Sequence, residues 1–132
     1  MSVGRLQRRD DFLRVAGRGR KWVTPGLILQ VASMDLAIAG SDEKGVRVGF
    51  TASRRVGNAV ERNRVRRRLR AAVREVLDCH GRRGRDYVVI GRRASLARPF
   101  HSLVQDLKVA LVRLDSFVEA AGPDASGQGE TK

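Results

Sequence analysis

The spacing of apolar residues changes several times along this chain, and each change marks an element. From Val46 to Ser53, Val46, Val48, Phe50 and Ala52 alternate with Arg47, Gly49, Thr51 and Ser53. That two-residue repeat is the signature of a strand with one face on a core. Leu27 to Ser33 is a second β-rich run, with Leu27, Leu29 and Val31 alternating with Ile28, Gln30 and Ala32. Tyr87 to Gly91 is short and almost continuously apolar, as a buried strand is. Lys21 to Val23 reads as a short strand ahead of a Pro25–Gly26 turn.

Elsewhere the repeat is helical. Phe12 and Val15, three apart, predict a short helix over Asp10 to Ala16, with Asp10 or Asp11 as N-cap or first-turn acid. Gly17 and Gly19 are expected to end it. A long helix is predicted from Ala59 to about Cys79, with Asn58 as N-cap and Glu61 at the third helical position in a capping-box pattern. Gly81 and Gly84 are its expected stop. Behind Pro99, which suits a first helical turn, Phe100, Leu103, Val104, Leu107, Leu111 and Leu114 form the stripe of a last amphipathic helix. Residues 1–7 read as loosely ordered, GSDEKG at 40–45 as a surface loop, and 121–132 as a disordered tail. There is no internal repeat.

The resulting order is helix, two or three strands, helix, strand, helix. It predicts an α+β sandwich of one sheet with helices packed on it. At 132 residues one domain is expected, over residues 1–120, with the tail outside it.

Charge then narrows the function. The formal net charge is +13, from 27 basic and 14 acidic residues. Lys21, Lys44, Lys108 and Lys132 are the only lysines, so nearly all the cations are guanidinium groups. Their planar fork donates two parallel hydrogen bonds to phosphate. A generic basic surface that aids solubility would scatter this charge, whereas here it is clustered, and a polyanionic partner is the stronger reading. The single cysteine, Cys79, excludes an internal disulfide framework and fits a reducing compartment. No apolar run approaches the roughly 20 residues that cross a bilayer, and Met1 to Asp10 has no signal-peptide core. A cytoplasmic protein without membrane contact is expected.

The cluster lies on the long helix. Arg54 to Arg74 contains nine arginines, at 54, 55, 62, 64, 66, 67, 68, 70 and 74, with Glu61 as its one acid. At about 100° per residue, Val65, Leu69, Ala72 and Val76 fall on one side, with Val73 and Leu77 at its margin. Asn63, Arg67, Arg70 and Arg74 fall opposite, flanked by Arg66. Like charges three and four apart destabilise an isolated helix by a few tenths of a kcal/mol per pair. A solvated face laced with ion pairs would need acids that the segment lacks. Composition does not separate DNA from RNA. A DNA-reading helix usually displays several Asn, Gln, Ser or Thr among its arginines, and only Asn63 is available. Contact with backbone and shape, the usual mode for structured RNA, is the economical reading.

The run RVGFTASRRVGNAVERNRVRRRLR, residues 47–70, resembles the defining segment of the bacterial ribonuclease P protein subunit. The shared marks are Ser53-Arg54-Arg55 at a strand end, the Gly57-Asn58-Ala59-Val60 turn, and Arg62-Asn63-Arg64 opening the helix. Asp11-Phe12 with Val15 and Gly19, the strand Asp86 to Ile90 and the helix after Pro99 extend the likeness over residues 5 to 118. The resemblance implies a ribosomal protein S5 domain 2-like sandwich, with a left-handed crossover through the basic helix, which general handedness rules would not predict. It implies an accessory protein subunit, one per RNA, of an endoribonuclease whose catalytic RNA removes the 5′ leader of precursor tRNA. Magnesium (Mg2+) would be held mainly by that RNA and the substrate.

By position, Arg62, Asn63, Arg64, Arg66, Arg67, Arg70 and Arg74 are expected along the RNA contact, with Arg54 and Arg55 near phosphates. Phe12, Ile28 and Gln30 are expected to line a leader cleft between the sheet and the first helix. Ala16 and Gln30 stand where many relatives carry aromatics, so leader binding here should lean on charge and Phe12. Aromatics are only 5% of the chain, too few for a broad stacking platform.

Other candidates are weaker. His80 and His101 are isolated, with no Cys/His spacing suited to zinc, and no nucleophile–base pair is evident. His80 suits a cap or surface, and Cys79 a redox-inert helix end. Trp22 could stack on a base or pack under the first helix. Gly17 and Gly19 are followed by no phosphate-loop Lys. A structural ribosomal protein, or an architectural DNA-binding protein, would share the small size and basicity. Binding to ribosomal particles, or preference for duplex DNA over folded RNA, would mark those cases.

The two-faced helix makes a direct prediction. Arg67→Ala or Arg70→Ala is expected to weaken RNA binding in a salt titration, lowering the log–log slope by roughly 0.7–0.9 per lost phosphate contact. Leu69→Asp should instead unfold the domain by burying an unpaired charge, visible as loss of the cooperative melt.

Overall fold

The computed structural model of the chain describes residues 3–6, 8–33, 46–80 and 85–114. Five strands form one mixed sheet: β1 (Val3–Arg5), β2 (Arg20–Val23), β3 (Leu27–Ser33), β4 (Val46–Thr51) and β5 (Arg85–Gly91). Their order across the sheet is β1-β4-β5-β3-β2. The outer pair β1–β4 and the central pair β4–β5 are parallel, while β5–β3 and β3–β2 are antiparallel. Among the described residues, three α-helices, α1 (Arg9–Arg18), α2 (Ala59–His80) and α3 (Phe100–Arg113), and a short 3-10 helix (Arg93–Leu96) accompany the sheet. The α+β sandwich is as expected, and α2 is the crossover joining the parallel neighbours β4 and β5.

One expectation fails at the start of the chain. Residues 1–7 read as loose, yet Val3–Arg5 pairs with Val46–Val48 as an edge strand. Three residues are too few for alternation to register, and the partner is distant in sequence. Leu6 follows it into the interior, where it is 4% exposed. The loop at 40–45, the stop at Gly81 and Gly84, the side chains of Cys79 and His80, and the tail 121–132 lie outside what is described.

The two faces of the sheet bury different things. On one, Leu27, Leu29, Val31, Val46, Val48, Tyr87 and Val89 meet Val65, Leu69, Ala72, Val73, Val76 and Leu77 of α2 and Leu103, Leu107, Ala110 and Leu111 of α3. Five large α2 side chains buried at about 1.5–3 kcal/mol each far exceed a few tenths per like-charge pair, so packing sets the rotation of α2. Phe100, expected in the α3 stripe, is 37% exposed. It is the first residue of its helix.

The second face is partly covered by α1. Val15, Leu6 and Val88 form a small core with Phe12, Ala32 and Ile90 at its edge. Gly49 makes the close approach possible, since a Cβ there would lie 2.5 Å from the Phe12 ring. Beneath α1, buried Asp86 accepts from Arg47 at 2.9 and 2.7 Å and from Arg14. Buried Asp11 lies 3.4 Å from Arg14 and 3.7 Å from Arg47. Asp11 is thus a first-turn acid with a tertiary role, and the N-cap position falls to Arg8, which makes no side-chain cap bond. Gly17 continues the helix and Gly19 caps it.

Asp86→Ala would remove the buried carboxylate to which both Arg14 and Arg47 donate, leaving them the longer contacts with Asp11. Losing one partner of a buried pair costs about 3–5 kcal/mol, so the midpoint of urea unfolding should fall sharply.

Candidate nucleic-acid interface

The junction between β4 and α2 is held by its own backbone. Val56, 1% exposed, is sunk into the core. Its amide donates to Ser53 O at 3.0 Å, and its carbonyl accepts from Arg93 Nη1 at 2.9 Å. Arg54 and Arg55 are thereby left exposed on the turn. Gly57 has φ +152°, a conformation side chains rarely adopt. The expected capping box follows. Glu61 N donates to Asn58 Oδ1 at 2.8 Å, and Asn58 N donates to Glu61 Oε1 at 2.9 Å. The one acid of the segment is therefore engaged at the helix start and leaves the arginines unneutralised.

Along α2, Asn63, Arg64, Arg67 and Arg74 are exposed, and Arg62, Arg66 and Arg70 are half-buried. Arg62 donates to Gly57 O at 3.3 Å, and Arg66 donates to Asn63 Oδ1 at 2.9 Å. Asn63 is thus an orienting group for a neighbouring guanidinium. None of these cations, nor Arg54 and Arg55, forms an ion pair with a carboxylate among the described residues. Arg70 lies over Phe50, 5.7 Å from the ring centre, and its buried Nε lacks a hydrogen-bond partner among the described residues. Burial, then repulsion from Arg5, Arg66 and Arg74, holds its pKa below the usual guanidinium value. A bound anion would relieve both.

Arg68 behaves differently. It points to the 3-10 helix, donating to Ser95 O at 2.5 Å, to Leu96 O at 3.0 Å and to Arg98 O. It is a structural clamp within an otherwise outward-facing series. Its helix position alone marks it, since it falls between the two faces.

The structure brings Phe12, Ile28 and Gln30 to the α1 face of the sheet. Ile28 pairs with Ile90, Gln30 with Val88, and both are half-buried. Phe12 stands over Gly49, two strands away. Lys21 and Val23 extend the same face beside Gln30 and Ile28; the phase of β2 was too short to show this from sequence. Trp22 points the other way. It lies against Arg113 of α3, 5.4 Å from ring centre to guanidinium, and so does not pack under α1. His101 is exposed.

The family model described as Ribonuclease P matches residues 2–115. The ribonuclease P protein component of Paramagnetospirillum magneticum is 50% identical over 123 residues, 93% of this chain and 91% of the relative. The chain belongs to the ribonuclease P protein family. The ribonuclease P protein component of Gluconacetobacter diazotrophicus is 49% identical over 107 residues, covering 81% and 87%. The fold agrees with the Staphylococcus aureus RNase P protein at a TM-score of 0.70 and 22% identity, over 88% of this chain and 99% of that one. For the Thermotoga maritima protein the TM-score is 0.63 at 25% identity, over 78% and 90%. Within the ribonuclease P protein family frame, the Ser53–Arg74 segment is the junction and ridge just described. No helix among the described residues is long and apolar enough to cross a membrane.

Arg68→Ala should cost about 1.5–3 kcal/mol of stability, the worth of hydrogen bonds from a charged donor. Its effect should appear in the thermal melt, with the salt slope of RNA binding unchanged.

Proposed function

We propose that this chain is the accessory protein subunit of a cytoplasmic ribonuclease P. One copy joins one catalytic RNA and assists the endonucleolytic removal of the 5′ leader from precursor tRNA. The observation that carries this reading is the row of guanidinium groups on α2, backed by a buried apolar face and unpaired with described carboxylates. In the proposal, Arg62, Asn63, Arg64, Arg66, Arg67, Arg70 and Arg74 dock on phosphates of the RNA, and Arg54 and Arg55 extend that contact at the turn. Binding is then dominated by counterion release and falls steeply with salt.

The leader occupies the α1 face. An extended single strand fits a strip formed by Phe12, Ile28 and Gln30, where one aromatic ring offers stacking worth about 1–3 kcal/mol. The protein supplies binding and orientation, while its RNA partner supplies the reaction. The described residues contain no group of three or more His, Cys, Asp or Glu able to hold a metal ion, and Asp11 and Asp86 face arginines. They do not fit a magnesium site, and no step is assigned to the ion on this chain. The proposal leaves Mg2+ with the RNA and the substrate.

The test is reconstitution. Added to a bacterial ribonuclease P RNA at low magnesium, the chain should raise cleavage of precursor tRNA and tighten substrate binding, more for substrates with a leader than without. No gain in either quantity would refute the reading.

A further inference from the structure

Arg70 is not simply one more member of the outward row. Its guanidinium lies over Phe50 of β4, close to the sheet edge where β1 runs. Arg5 of β1 stands directly beside Val48. Neighbours in register share a face of the sheet, so Arg5 leaves the sheet on the α2 side, one repeat from Phe50. Arg5 is exposed, and no described carboxylate pairs with it. Arg66 and Arg74 flank Arg70 one turn to either side along α2, and Arg66 is steered by Asn63. Repulsion from Arg5, Arg66 and Arg74 adds to burial in lowering the pKa of Arg70. The buried Nε of Arg70 still lacks an acceptor among the described residues.

We propose that Arg5 and Arg70, flanked by Arg66 and Arg74, form a phosphate pocket at the seam between β1 and α2 that takes one phosphodiester of bound RNA. This rests on the RNA-docking reading above and adds a residue from outside the basic helix. The ridge alone is a linear track, along which an RNA backbone could slide or rotate. A cation from a second element fixes one phosphate from two directions, and so sets register. The pocket exists only when β1 is paired with β4, which ties this edge strand to RNA recognition.

The experiment uses the full chain with Arg5→Gln, Arg5→Lys, Arg70→Gln and the double variant R5Q/R70Q, with Arg67→Ala as reference. One arm measures binding to ribonuclease P RNA across a salt series. A second measures binding of precursor tRNA, with and without its leader, to the assembled holoenzyme. Arg5→Gln is expected to weaken binding several-fold and lower the log–log slope by roughly 0.7–0.9, with an unchanged melt. Arg5→Lys should keep the slope. R5Q/R70Q should lose less than the product of the single losses, because both groups serve one phosphate. Loss in the first arm assigns the phosphate to the catalytic RNA, and loss confined to leader-bearing substrate assigns it to the leader; either supports the pocket. An unchanged slope in both arms, with or without a lower melting temperature, overturns it. If Arg67→Ala still weakens binding, only the pocket fails. If Arg67→Ala also has no effect, the docking reading itself fails.

Discussion

The burial of Val65, Leu69, Val76 and Leu77 against the sheet governs this molecule. A helix with so many guanidinium groups on one side would not hold its orientation by local forces. Its like charges repel, and Glu61, the one acid among the arginines of residues 54–74, is drawn into the cap by Asn58. Packing energy outweighs the repulsion several-fold. The same contacts that keep α2 folded therefore present its cations to solvent, so stability and charge display are one arrangement.

The opposite face is organised by charge rather than by apolar area. There the core is small, and Asp86, Asp11, Arg14 and Arg47 share the interior under α1. Such a network is geometrically exacting: α1 sits where its arginine can reach Asp86. Because Gly49 lets Phe12 come down on the sheet, the helix lies close against the face that also carries Ile28 and Gln30. The two nucleic-acid surfaces of the proposal thus rest on opposite kinds of packing.

Much of this was readable in the order of residues. The β3 and β4 alternation, the two faces of α2 and the Asn58–Glu61 cap all depend on neighbours within a few positions, and all appear as expected. What could not be read depends on distant pairing. β1 has three residues and a partner some forty positions away, so neither it nor Arg5 carried a signal. The direction of Trp22 required knowing that β2 is an edge strand paired in register with Leu29. Asp86 looked like the polar start of a strand, and only the arrival of Arg14 and Arg47 beneath α1 explains its burial. Arg68 lies between two helical faces, and its carbonyl partners come from a segment with no periodic pattern.

The central position of β5 has a consequence for biogenesis. It is the last strand among the described residues, yet it lies between β4 and β3 and bridges the two halves of the sheet. A nascent polypeptide can form the β2–β3 hairpin and the α2 helix early, but neither half can join the other until β5 has left the ribosome. Contacts of such long sequence separation slow folding. During that interval α2 would have its apolar side uncovered and its arginines already displayed in a cell full of RNA, so productive folding competes with premature adhesion to nucleic acid.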